Sequence, residues 1–138
     1  MKGHKGIITS IILIFLFACS SSGQKDKDLC DFEKVLCIKR TDNIEVRLDI
    51  EPKPLQAFRE TAFIITIKGD EGLPNELLLD LNMPGMFMGK NQVILKRVEK
   101  NKYKGTGVIP RCPSGKTLWQ ADIFVPGEGS VNFKFHVK

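Results

Sequence analysis

From Asn43 onward, apolar residues recur at every second position, and this period constrains the fold more than any other feature of the chain. Successive side chains of an extended strand point to opposite faces, so a half-buried strand alternates in this way. Ile44, Val46, Leu48 and Ile50 alternate with Glu45, Arg47 and Asp49. Glu51-Pro52-Lys53-Pro54 closes that run, because proline has no N–H to give to a ladder. Thr61 to Lys68 (TAFIITIK) is β-branched and aromatic, and reads as a strand buried on both faces. Glu76 to Met83 reads as the next strand; Gln92 to Val98 and Lys102 to Ile109 follow, joined by a turn at Glu99-Lys100-Asn101. In Thr117 to Val125, the residues Trp119, Ala121, Ile123 and Val125 form the core face. After the turn at Pro126-Gly127-Glu128-Gly129, Ser130 to Lys138 places Val131, Phe133, Phe135 and Val137 inward, which turns His136 to solvent. Only Asp31 to Leu36 suggests a short helix.

About seven short strands separated by turn signals predict an all-β domain, a single immunoglobulin-like antiparallel β-sandwich. There is no internal repeat and no second domain. The N-terminus carries a different grammar. Lys2, His4 and Lys5 precede the apolar stretch Ile7 to Phe17, which is short for a permanent span. It ends on Leu16-Phe17-Ala18-Cys19 and turns polar at once. This resembles a bacterial lipoprotein signal peptide, and the resemblance implies cleavage before Cys19 and lipidation of its thiol. An uncleaved anchor is the alternative. The predicted organisation is then a leader at 1–18, the lipidated cysteine and a flexible tether at 19–29, and the β-sandwich at 30–138, after a short linker. The implied location is extracytoplasmic, lipid-anchored to a membrane and facing the periplasm or the cell exterior. Several acyl chains make such attachment stable where a single one is marginal.

Loss of Lys2 and Lys5 with the leader lowers the formal charge from +5 to +3. The remaining charges alternate in sign along the chain, as in Lys25-Asp26-Lys27-Asp28, which is not the footprint of a nucleic-acid binder. No Gly-rich phosphate loop is present. His136 is the only imidazole left after the leader and is expected to point outward, so no Ser-His-Asp or zinc-hydrolase arrangement is recognised. Asp80, Glu76 and Asp122 are dispersed along predicted strands. An enzyme is not expected.

The functional signal lies in LNMPGMFMGKN, Leu81 to Asn91, which holds Met83, Met86 and Met88, every methionine except the initiator. Pro84-Gly85 is the preferred central pair of a type II turn, which predicts that Met83 and Met86 face each other across it. Met86 and Met88 then share a side, with Phe87 on the other. Thioether sulfur is soft and not titratable, binds Cu(I) well and hard cations poorly, and survives where exposed thiols oxidise. The pattern supports a Cu(I) site made of Met83, Met86 and Met88. The alternative is a metal-free apolar patch that docks another envelope protein.

The run from Leu77 to Val125, with MPGMFMGKN, Tyr103-Lys104-Gly105-Thr106-Gly107 and Trp119-Gln120-Ala121, resembles the FixH/YtkA-like domain. That resemblance implies an immunoglobulin-like fold, Met83, Met86 and Met88 as ligands, and a link to copper supply or cytochrome oxidase assembly. The implied partner is an envelope copper protein or an oxidase subunit. Members often carry histidines beside this segment, and this chain has none there.

Apart from Cys19, the cysteines are Cys30, Cys37 and Cys112, an odd number. Export favours a disulfide, and the plain expectation is a staple from the N-terminal segment to the domain, Cys37–Cys112 or Cys30–Cys112. Such a long loop would contribute about 3–5 kcal/mol in the chain-entropy model. The other reading leaves a thiolate to join the methionines in a mixed soft site, which requires the Cys112 loop and the methionine turn to lie at one end of the domain.

Overall fold

The structure is a computed structural model, described over residues 28–138. The leader, Cys19 and most of the tether lie outside these residues. Among the described residues there is no helix, and nine strands account for the regular structure. They are β1 (Leu29–Cys30), β2 (Cys37–Arg40), β3 (Glu45–Glu51), β4 (Glu60–Lys68), β5 (Glu76–Asn82), β6 (Gln92–Glu99), β7 (Lys102–Val108), β8 (Leu118–Val125) and β9 (Gly129–His136). The seven strands predicted from alternation correspond to β3 through β9. The two further strands are too short to show a period. Asp31 to Leu36 forms a hydrogen-bonded turn in place of a helix, with the Lys34 and Val35 N–H groups donating to the Asp31 carbonyl.

The hydrogen-bonded order is β1-β9-β8-β5-β6-β7-β4-β3-β2, one continuous sheet where the sequence predicts two facing ones. Every pairing is antiparallel except β1 with β9. The sheet curls until it is nearly a barrel, which removes most of the exposed edge that an open sheet presents.

Its two end strands are joined covalently. Cys30 on β1 is bonded to Cys37 on β2, with their Cα atoms 5.6 Å apart. This corrects the expected staple to Cys112, which is free. The reason is topological: the curl carries the first and last strands of the order together, so the nearest thiol to Cys30 lies only seven residues along the chain. Elsewhere across the same gap, Thr41 Oγ1 and Asn43 Nδ2 each donate to the Glu128 carboxylate at 2.9 Å. The short disulfide loop contributes about 2–3 kcal/mol in the chain-entropy model, less than the longer staple would. Replacing Cys30 and Cys37 by serine should lower unfolding stability by about that amount. Urea denaturation of the double variant beside the parent measures it, and reductant should then destabilise only the parent.

One face of the sheet closes on itself around Trp119, Tyr103, Phe63, Phe133 and Phe135, all fully buried. The predicted core faces of β8 and β9 are the observed ones. β4 differs: Thr61, Phe63, Ile65 and Ile67 are buried while Ala62, Ile64 and Thr66 are half-exposed, so it is inward on one face only. The outward face of β5 also departs from expectation. Asp80 and Asp122, read as dispersed, are cross-strand partners in the β5–β8 register. Asn82 and Gln120 donate to the two oxygens of Asp122, whereas Asp80 Oδ1 is covered and has no partner.

Candidate metal centre

The register places four connections, β1–β2, β3–β4, β5–β6 and β7–β8, and the C-terminus at one end of the barrel. β5 ends at Asn82, opposite Gln120 near the start of β8, so the β5–β6 and β7–β8 connections emerge side by side. β7 ends at Val108 opposite Glu60, and β9 ends at His136 opposite Leu118. The methionine segment is the β5–β6 connection, and Cys112 lies in the β7–β8 connection.

The methionine turn forms as its sequence predicts. The Met86 N–H donates to the Met83 carbonyl at 3.0 Å, and the two residues form an isolated antiparallel bridge. Gly85 has φ 75°, the positive value that the third position of a type II turn requires; a Cβ there would meet nothing within 4 Å. Glycine is therefore required by backbone conformation and not by space. Downstream, the Leu81 N–H donates to the Asn91 carbonyl and Asn91 Nδ2 donates to the Met88 carbonyl, which ties both ends of the loop.

The three thioethers differ in surroundings. Met83 continues the inward row of Leu77, Leu79 and Leu81 and is 3% exposed, within the core. Met86 and Met88 are half-buried and pack against that core from the rim. Phe87 between them is 95% exposed, which matches the alternation read from the sequence.

Cys112 approaches from the neighbouring connection. Its S–H donates to Met86 Sδ at 3.6 Å, and its Sγ lies 3.0 Å from Ser114 Oγ. The side chain is 2% exposed. Two sulfurs on one trigonal or tetrahedral metal, with bonds of about 2.3 Å, stand about 3.7–4.0 Å apart, so little movement would bring these two onto a shared ion. The Ser114 hydroxyl is the main cause that holds the Cys112 thiol below the usual thiol range. Burial opposes this, while the N–H groups of Ser114 and Lys116 and the Lys116 charge reinforce it. Cys112, Arg111, Lys116 and Trp119 line a cleft of about 300 Å³ that opens beside the sulfur pair.

His136 stands on the outward face, its Nδ1 2.8 Å from Thr117 Oγ1, as the alternation predicts. Among the described residues no group of three or more His, Cys, Asp or Glu side chains could hold a metal ion. The thioethers present at this end of the barrel are a donor type that suits a soft monovalent ion. From the sequence, Cys112 is expected mainly as one end of a structural staple. The odd cysteine count was the one signal that a thiol stays free, and it did not say which. Comparison with family models, curated proteins and solved structures returned no match for this chain.

Proposed function

We propose that this chain is an exported, lipid-anchored β-domain that binds Cu(I) at the methionine turn and exchanges it with a membrane partner. The observation that supports this reading most is the Met83–Met86 backbone bridge across Pro84-Gly85, beside which Met86 and Met88 stand half-buried on the rim of the barrel while Met83 lies in the core beneath. Soft, neutral donors at a half-exposed rim favour rapid exchange over storage. The lipoprotein grammar around Cys19 and the disulfide between Cys30 and Cys37 both suit an oxidising extracytoplasmic compartment. The resemblance of MPGMFMGKN to the FixH/YtkA-like domain adds an immunoglobulin-like ancestry, and a copper protein or oxidase subunit as partner.

A second reading takes the same loop as a metal-free docking surface for another envelope protein. It is favoured by Phe87, whose nearly complete exposure is unusual for an aromatic side chain. Anaerobic Cu(I) titration against a chromophoric competitor separates the two. Leucine at positions 83, 86 and 88 keeps the apolar surface and removes the sulfur. The triple variant should lose at least about 100-fold in Cu(I) affinity, because changes to outer-shell partners alone cost about 10–100-fold. A variant that competes as well as the parent would leave the docking reading in place.

A further inference from the structure

Resting on the Cu(I) reading of the turn, we infer that Cys112 is itself a ligand, so that the site joins the Cys112 thiolate to the Met86 thioether across two connections of the barrel. Four observations carry this. Cys112 is free because Cys30 and Cys37 are bonded to each other. Its Sγ and the Met86 Sδ lie 3.6 Å apart, close to the separation of two sulfurs on one ion. Its other polar neighbour, Ser114 Oγ at 3.0 Å, can donate to a sulfur anion, as no hydrocarbon packing partner could. Finally, Arg111 and Lys116 flank it in the adjoining cleft. A cation held by neutral thioethers alone would face those like charges uncompensated. A thiolate makes the copper centre neutral.

The chemistry balances without an oxidant. The Cys112 S–H bond breaks heterolytically, the proton passes to water, and the sulfur electron pair binds Cu(I), which keeps its oxidation state. Arg111 and Lys116 put positive charge in the cleft beside Cys112, whereas Met86 is half-exposed and neutral, so the approach of copper to the pair is favoured from the methionine side. Capture starts on the rim thioethers and ends on the buried thiolate. The exchange partner would therefore meet copper at Met86 and Met88.

The test uses the full-length protein in detergent, loaded anaerobically with Cu(I) alone. Cys112→Ser should lower Cu(I) affinity at least about 100-fold, as Met86→Leu should, and the double variant should lose much less than the product of the two. Such non-additivity identifies two ligands of one ion. Independently of any variant, Cu(I) should produce a near-ultraviolet thiolate-to-copper band and slow iodoacetamide modification of Cys112, located by peptide mass spectrometry, at least about tenfold. If Cys112→Ser competes for copper like the parent while the methionine variants do not, Cys112 is no ligand and the thioether site stands. If methionine loss has no effect, both the mixed site and the copper reading of the turn are overturned. Should Cys112→Ser fail to fold, the parent's band and protection decide: their absence overturns the inference.

Discussion

Replacing Trp119 with alanine should destabilise the domain by about 3–5 kcal/mol, among the largest losses that a single truncation can cause. Trp119 is the only tryptophan of the chain, is 1% exposed, and is the largest of the fully buried side chains. It sits near the start of β8 opposite Phe135, in the row that includes Ala121 and Ile123, so its loss opens a void in the core beneath the β7–β8 connection. The same side chain forms a wall of the cleft beside Cys112. Truncation should therefore loosen the β7–β8 connection as well as the core. Urea denaturation gives the stability loss, and hydrogen exchange should show the extra opening around Cys112 and Ser114. A loss below about 1 kcal/mol would mean that the barrel closes over the void, contrary to the packing described.

Gly105→Ala should cost about 3 kcal/mol, the upper part of the range for overpacking. A Cβ at Gly105 would stand 2.5 Å from the Ile94 carbonyl oxygen and 2.8 Å from Val93 Cγ1. Side-chain atoms can rotate away, but the Ile94 oxygen belongs to the β6 backbone, so the β6–β7 ladder must shift to admit one methyl group. That ladder is already irregular between Arg97 and Glu99. The same denaturation series checks the cost. Gly85→Ala is the control, since its Cβ meets nothing and only the positive φ opposes it; it should cost about 1 kcal/mol or slightly more.

These two sites also show what the sequence made legible. The alternation around Trp119 identified its inward face without ambiguity, because a period of two is local. The Pro84-Gly85 turn was equally local, and it forms as expected. Pairing was not local. Nothing in TAFIITIK or KYKGTGV states that β4 pairs with β7, and nothing near Cys30 states that β1 and β2 end the sheet and meet. Asp80 and Asp122 are 42 residues apart in the chain, yet the β5–β8 register makes them neighbours. The continuous apolar run in β4 suggested burial on both faces, but in a barrel the outward side of Ile64 stays half-exposed.

The candidate site divides the same way. Met83, Met86 and Met88 stood out by clustering, and the Pro84-Gly85 turn that joins Met83 to Met86 forms as read. Their inequality was hidden: Met83 is held in the core by the inward row of β5, while Met86 and Met88 remain on the rim. Cys112 joined them only through topology, because the β7–β8 connection emerges beside the end of β5.

Copper K-edge X-ray absorption on the protein loaded with one equivalent of Cu(I) tests the central claim most directly. The account predicts a first shell made of sulfur alone, which loses scatterers when the three turn methionines become leucine. A shell of nitrogen or oxygen, or a sulfur shell indifferent to that replacement, would contradict it.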